Sequence, residues 1–400
     1  MADSKISDLP AVVTPADTDE FAVNQSGTSK KITLGQIKTE AAASGGSASF
    51  NLIDNGNFNI WQRDTIASYD ALGGAYQYFA DRWKVFGTAQ YDPFVIEVSQ
   101  ETTIVPDSKS LNSLKLTPTT AKAQPTEGYT TVTQFVPGFH MLGSGFGAAG
   151  ASDLVLSFKV RSSVTGTYSL TCLNGDFDLQ YTTEFTINDA DTWESKEIVI
   201  SAATSGTWYK DYQQGIGIII CLTNGSTVGI ATAGLDAWSA FTGVIGSENQ
   251  VHWGGSTDDT FYLSQVQLEI GSTASDFAEV PHAEERARCE LFYRASYEDE
   301  NSGGTGTTVG NHEFSAPVTN ALDHRQSIQF GTKMNDTPFV VIYNPTTGAT
   351  DSFRNITAAA DVPAAVYRES TTGFVAYCSP AYAATVNDKI AFQWTASADY

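Results

Sequence analysis

Three acidic pairs sit close enough in the sequence to suggest acid–base chemistry: Asp176 with Asp178, Asp189 with Asp191, and Asp258 with Asp259. A glycosidase needs two carboxylates roughly 5 to 9.5 Å apart across a cleft. Residues i and i+2 of a strand share a face at ~7 Å, so Asp176 and Asp178 reach that range if a strand carries them. The competing reading is turn chemistry, because Asp caps loops, and it is the one preferred here. Between the two stands a structural calcium at Asp176 and Asp178, since loop carboxylates suit a hard cation. Gly145-Phe-Gly-Ala-Ala-Gly150 has the G-x-G-x-x-G spacing of a dinucleotide-binding turn. That turn must follow a strand and open a helix. Here the strand-like run Leu154 to Val160 comes next, so the segment reads as a flexible loop. The histidines, His140, His252, His282, His312 and His324, show neither H-x-x-x-H nor H-x-H spacing, which argues against a transition-metal site. No Gly-x-Ser-x-Gly elbow is present. The expectation is a protein without catalytic residues or a required cofactor.

Aromatic residues are the better candidates for binding. A sugar presents C–H faces that stack on Trp and Tyr and hydroxyls that reach Asn, Asp and Gln. Trp208-Tyr-Lys-Asp-Tyr-Gln-Gln214, between Gly206 and Gly215, supplies that mixture, and Trp238 and His252-Trp253 stand in similar polar, glycine-rich settings. The ligand-binding candidates are therefore Trp208, Tyr209, Tyr212, Trp238 and Trp253. Against them stands the tendency of tryptophans in β-sandwiches to be core. Trp61, Trp83 and Trp394 read as core.

These residues are carried by strands. Leu154, Leu156, Phe158 and Val160 alternate with Val155, Ser157, Lys159 and Arg161; Phe94, Ile96 and Val98, Tyr168, Leu170 and Cys172, and Val266, Leu268 and Ile270 keep the same period. Short alternating runs bounded by Gly, Asn, Asp or Ser predict an antiparallel sandwich or jelly roll over residues 50–280. Pro281 to Arg294 reads as a short bridging helix, with Ala287 and Leu291 at i, i+4, inside a junction and loop over 281–311. From 312 to 400 the runs Phe339 to Tyr343, Phe374 to Tyr377 and Ile390 to Trp394 predict a second, smaller β-sandwich. The first 49 residues differ in kind: short apolar pairs alternate with turn residues, too few for an independent core. Thr33 and Gln36 have capping-box spacing for a short helix through Ile37 to Ala43, and Ser44 to Ser49 reads as a link. The fold class expected is all-β: a jelly roll, then a smaller sandwich, after a short N-terminal segment.

Composition agrees. Of 400 residues, 41% are apolar, enough for real cores. The net charge of −23 repels phosphate backbones and anionic lipid heads, so nucleic acid is excluded as a partner. No apolar run approaches the ~20 residues that span a bilayer, so membrane insertion is not expected. The start, Met1-Ala-Asp-Ser-Lys-Ile-Ser-Asp8, lacks a basic then apolar leader, which predicts assembly in a cytoplasm. The cysteines Cys172, Cys221, Cys289 and Cys378 form no C-x-x-C pair. Cys172 and Cys221 read as buried small hydrophobes, with a disulfide between them left open until distances are known.

Several segments resemble one family in order along the chain. Asn51-Leu-Ile-Asp-Asn-Gly-Asn-Phe58 with Trp61-Gln-Arg63 resembles the opening of jelly-roll modules in bacteriophage tail fibres, and a similar start occurs in carbohydrate-binding modules of glycoside hydrolases. Phe261-Tyr-Leu-Ser-Gln-Val-Gln-Leu-Glu-Ile-Gly271, then Ala274-Ser-Asp-Phe277, resembles the closing strand of that module, and Glu284 to Tyr293 the junction after it. Ile6-Ser-Asp-Leu-Pro10 with Lys31-Ile-Thr-Leu34 is similar to fibre attachment segments, while Lys333 to Pro338 and Trp394 to Tyr400 resemble fibre tips. The resemblance implies a homotrimeric virion protein. Its N-terminal segment, through Ile6, Leu9, Pro10, Phe21, Val23, Ile32 and Leu34, would meet other tail or capsid proteins. The rest would project toward a host-surface glycan or receptor. Related sandwich modules often hold a calcium. Two alternatives stay open: a head fibre, decoration or connector protein with a purely structural role, and a surface-polysaccharide depolymerase using Asp176 or Asp178.

Overall fold

The computed structural model describes residues 16, 18–25, 28–33, 50–70, 76–88, 94–226, 230–231, 234–243, 245–299, 301–316, 324–378 and 385–399. The chain divides into two compact units, Met1–Phe50 and Asn51–Tyr400. In the first, β1 (Glu20–Gln25) and β2 (Thr28–Thr33) form an antiparallel hairpin that pairs Phe21 with Ile32, and Lys31 meets Glu20 at 2.6 Å. Phe21 is exposed and Ile32 half-buried; Val23 lies in β1. Ile6, Leu9, Pro10, Leu34 and the helix expected over Ile37 to Ala43 lie outside the described residues.

The second unit is built on two antiparallel sheets packed face to face. One has the order β15 (Trp238–Ala240), β11 (Leu179–Ile187), β10 (Gly166–Asn174), β13 (Gln214–Asn224), β8 (Tyr129–Pro137), β5 (Lys84–Gly87), β4 (Tyr76–Tyr78). The other has the order β12 (Glu194–Ile200), β9 (Leu154–Ser162), β17 (Phe261–Ile270), β7 (Ser113–Pro118), β6 (Val95–Glu101), β3 (Ile66–Asp70). The alternation dictates the packing. Leu154, Leu156, Phe158 and Val160 of β9 face Leu170 and Cys172 of β10 and Ile216, Ile218 and Ile220 of β13 in one core. This is the expected jelly roll.

The sequences at its start and end form a clasp. Asn51 Oδ1 accepts from Leu268 N at 3.0 Å while its Nδ2 donates to Val266 O at 3.0 Å, which supplies bonds where β17 bulges between Ser264 and Gln267. Gly56 is required there, because a Cβ would lie 2.1 Å from Val266 O. Asn55, at φ 53°, spends its whole amide on the backbone: Nδ2 donates to Ile60 O and Asp81 O, and Oδ1 accepts from Ile60 N.

Helix α1 (His282–Cys289) is shorter than the sequence pattern proposed, ending before Leu291. Beyond it one eight-stranded sheet wraps a second core of Phe330, Met334, Ile342, Phe353, Phe392 and Trp394. Its long last strand, β25 (Lys389–Ser397), pairs with β19 (His312–Ser315) and β22 (Ser352–Asn355) early, then with β18 (Tyr293–Ala295) and β21 (Phe339–Tyr343) late. That switch of partners turns the sheet into a small sandwich.

The joint between the sandwiches is a buried ion network. Arg82 Nε sits 3.2 Å from Asp54 Oδ2, Arg288 Nε 3.3 Å from Asp54 Oδ1, and Arg63 pairs with both Asp81 and Asp399. The Arg82 guanidinium lies 3.3 Å from the Phe292 ring centre. Burial pushes the Asp81 carboxyl up to about 6 and Glu285 up to about 7. All four cysteines are free thiols. Cys172 faces the main core, whereas Cys221 faces the opposite side of the same sheet in a small cluster with Leu173, Ile219 and Ile245, so the two do not pair.

Candidate binding groove

The outward face of the seven-stranded sheet is mixed: Ser169, Thr171 and Thr182 stand beside a small apolar cluster of Leu173, Ile219, Cys221 and Ile245. Register decides which side chains emerge outward. Tyr76 pairs with Phe86, Phe86 with Thr131, and Thr131 with Cys221; one row along, Tyr78 pairs with Lys84, Lys84 with Thr133, and Thr133 with Ile219. These strands thus place Tyr76, Lys84, Phe86, Thr131, Thr133 and Phe135 on one surface, where Tyr129, Phe177 and Phe241 complete a groove of about 280 Å³. Its floor is Leu173, Ile219 and Ile245. Phe135 lies across β13 because Gly217 has no side chain there: a Cβ would stand 2.6 Å from the ring. Phe177, at φ 55°, projects from the β10–β11 turn onto Phe135 with centroids 5.6 Å apart.

Lys84 gives the groove its charge. Its Nζ stands 4.5 Å from the Tyr76 ring centre and 4.4 Å from that of Phe135. Burial, reinforced by Arg82, lowers its ammonium to about 8. Chemically the groove offers aromatic faces and one cation, with the Thr131 and Thr133 hydroxyls bonded to each other at 3.2 Å, a set that suits stacking against a ligand.

The structure moves three of the proposed ligand contacts inward. Trp253 is fully buried, edge-on to Phe94, and belongs to the core. Trp208 is buried and Trp238 half-buried; both rings pack on Phe146, with Trp208 5.1 Å from Trp238. Their indoles are satisfied by backbone, Trp208 Nε1 donating to Ser205 O and Trp238 Nε1 to Ser201 O. Glycine-rich polar flanks marked turns, not exposed rings. The Gly145–Gly150 segment changes meaning too: it is a packed turn that buries Phe146 beneath those tryptophans, not a flexible loop. Tyr209 and Tyr212 do reach the surface, at a second cleft beside Phe177. Trp61, Trp83 and Trp394 are buried as expected.

The acidic pairs lie in turns. Asp176 and Asp178 flank Phe177 between β10 and β11, outside either strand; Asp178 Oδ1 accepts from Asn174 Nδ2 and Asp176 Oδ1 accepts from the Tyr209 hydroxyl. Asp191 pairs with Arg161 at 3.0 Å, and Asp259 Oδ2 accepts from Gly254 N and Ser256 N. Among the described residues no group of three or more His, Cys, Asp or Glu could hold a metal. No described helix is long and apolar enough to cross a membrane.

No protein-family model matches the chain, and no curated protein matches it in sequence. Among solved structures, it aligns with the enzymatically active domain of tailspike protein 4 from bacteriophage CBA120 at 11% identity and a TM-score of 0.27, over 55% of this chain. The alignment spans only 21% of that tailspike chain. TmCBM61, solved with β-1,4-galactotriose, aligns over 56% of this chain and 99% of its own at 10% identity and a TM-score of 0.28. The family 11 carbohydrate-binding module from Clostridium thermocellum, solved with a β-1,3-1,4-mixed-linked tetrasaccharide, aligns over 54% and 100% at 12% identity and a TM-score of 0.27. What this groove binds has to be read from its own residues.

Proposed function

We propose that this chain is a non-enzymatic glycan-binding protein of a bacteriophage particle, a tail fibre whose jelly roll holds host-surface sugar in the groove on its seven-stranded sheet. The observation that carries the reading is the groove itself: Tyr76, Phe86, Tyr129, Phe177 and Phe241 gathered beside Lys84, Thr131 and Thr133 on a sheet face turned away from the core. A soluble protein leaves such an apolar face uncovered where it binds something. The particle assignment rests on the order of fibre-like segments along the chain. In that assignment the first 49 residues attach to tail or capsid proteins, assembly as a homotrimer multiplies weak sites, and the protein is assembled in the host cytoplasm before it resides on the virion.

The test is binding of the purified full chain to host cells and to polysaccharide extracted from them. Phe86→Ala and Tyr129→Ala should each weaken binding about five- to tenfold, the worth of one aromatic contact of ~1 kcal/mol. A chain starting at residue 50 should still bind. Unchanged binding in both ring variants would remove the groove from the function. Failure of the intact chain to bind, with particles attaching normally, would favour a structural fibre or decoration protein.

A further inference from the structure

The C-terminal sandwich turns a basic, aromatic face to solvent. β20 (Arg325–Gln329), β24 (Gly373–Cys378) and β23 (Ala360–Ser370) lie side by side at the end of its sheet. Ile328, Phe374, Ala376, Val362 and Ala364 belong to the core, so alternation sends Arg325 and Ser327, Val375 and Tyr377, and Ala365 and Tyr367 outward. Register sets Arg325 opposite Tyr377 and Tyr377 opposite Ala365, with Tyr367 one row along. Past Tyr367 the ladder is irregular up to Ser370, and Arg368, at φ 57°, turns its guanidinium back over the tyrosine ring.

Two exposed guanidiniums therefore share one ring. Arg325 stands 5.8 Å and Arg368 5.2 Å from the Tyr367 ring centre. Arg325 Nη1 also donates to the Tyr367 hydroxyl at 2.9 Å, and Tyr377 braces the ring edge-on with centroids 5.2 Å apart. Among the described residues the Arg368 guanidinium makes no ion pair and no hydrogen bond, so its N–H donors face solvent unspent. Ser327 Oγ accepts from Gln329 Nε2 and keeps its own O–H. The carboxylates of the three strands, Asp361 and Glu369, do not neutralise the pair. Asp361 is taken by Arg354 at 2.7 Å, and Glu369, exposed beside Arg368, forms no ion pair among the described residues. Asp and Glu outnumber Lys and Arg 45 to 22 in the chain, so its long-range field repels anions, and an anion held here is held by contact.

We propose that this face is an oxyanion subsite for an acidic surface polysaccharide, in which the Arg368 and Arg325 guanidiniums, with the Ser327 hydroxyl beside them, take a carboxylate or phosphodiester group. A planar guanidinium meets two oxygens of such a group at once, where an ammonium would supply only a point charge. The shared ring holds both cations in place before the ligand arrives, which lowers the cost of ordering them. The inference rests on the glycan-binding reading for its class of ligand, but its residues lie in the other sandwich and none of them lines the groove.

The experiment is calorimetry on the full chain with four probes: tetragalacturonate, its neutral methyl ester, a glycerol-phosphate tetramer and inorganic phosphate. An acidic tetramer should bind about tenfold tighter than the neutral ester, and which of the two does so distinguishes a uronate polymer from a phosphodiester one. Arg368→Gln should abolish that preference. Arg368→Lys, which keeps the charge and loses the fork, should lose most of it. Tyr367→Leu, which frees both guanidiniums, should weaken the acidic tetramer about threefold. The two Arg368 variants should melt like the parent, because the side chain is exposed. The proposal is overturned if neither acidic tetramer exceeds the ester, if the preference survives Arg368→Gln, or if Arg368→Lys retains it in full, which would mean that charge alone is felt. Inorganic phosphate binding as tightly as the tetramers would overturn it too, as a bare anion site without a glycan. Phe86→Ala separates the two readings: it should leave the oxyanion preference intact even where it lowers binding to host polysaccharide, so either can fail alone.

Discussion

Arg82 and Lys84 are two residues apart, and both bring a cation against aromatic rings, yet they do opposite things. Arg82 turns inward, where Asp54 at 3.2 Å, the Phe135 carbonyl at 2.6 Å and the Phe292 face use up its donors. Lys84 turns outward beneath Tyr76 and Phe135, in a groove that has room left over. One position closes a dry joint and the other lines the groove proposed as the site. The difference teaches that polar–aromatic composition alone does not mark a candidate binding surface; what separates the two positions is whether the rings around the cation close into the core or line an open groove.

The largest effect expected from breaking that comparison is on the inward side. Arg82→Ala leaves Asp54 with Arg288 and Asp399 with Arg63 as their remaining cations, and removing one partner from a buried ion network costs up to about 3–5 kcal/mol. Thermal melting should show a large loss of stability with both sandwiches affected, since the network ties the Asn51–Phe58 segment to α1 and to Asp399. A variant that melts like the parent would mean the network is dispensable.

Glu285 gives the next largest effect. It accepts from Asn55 N, and burial raises its carboxyl to about 7. A carboxyl whose folded pKa is raised favours the protonated folded state, so its contribution is complete below the ordinary value near 4.5 and is lost as pH rises through about 7. Asp81, raised to about 6, acts in the same direction, whereas Glu194, held down to about 2 against its own burial by Lys196 and the Asn188 and Asp189 amides, acts only in acid. Stability at the joint should therefore fall between pH 5 and 8. Glu285→Gln keeps an acceptor for Asn55 N and removes the titration, so it should flatten that fall and exceed the parent at pH 8 by on the order of 2 kcal/mol. Parallel melting profiles for the two proteins would assign the pH dependence elsewhere.

The inward side was also the legible side. Period-two alternation at Leu154–Val160 and the Asn51–Phe58, Phe261–Gly271 and Ala274–Phe277 segments point to the sandwich, and they are its core and clasp: Glu269 takes Ser275 N and Oγ, and Gln267 Oε1 takes Ala278 N. Their polar side chains bond the backbone directly, Asn51 at Val266 and Leu268 and Glu269 at Ser275, so residue type and role coincide there. The groove was missed because Tyr76, Phe86, Tyr129 and Phe241 come from separate segments, each an ordinary strand or turn aromatic, and only cross-strand register brings them to one face. One local signal existed. Ile218-Ile-Ile-Cys-Leu222 is apolar without alternation, which in an antiparallel sheet means a strand with two apolar faces. Tyr209 and Tyr212 reach the surface and Trp208 and Trp253 do not, a difference that sequence neighbours alone do not reveal.

Gly217 sharpens the comparison with the smallest change. It sits in β13 opposite Phe135, and its missing Cβ is the space that lets the ring lie flat as part of the groove wall. In an ordinary strand Gly→Ala gains about 0.5–1 kcal/mol from reduced chain entropy. Here the new methyl must push Phe135 aside, and overpacking costs about 1–3 kcal/mol, so the net expectation for Gly217→Ala is a loss of ~1 kcal/mol. The displaced ring should also disturb Phe177 and Lys84, lowering sugar binding severalfold while the inward joint keeps its pH profile. A variant that gains stability and binds normally would mean that Phe135 has room to move, and that the groove is shaped by the five exposed and half-buried rings around it without help from the strand beneath.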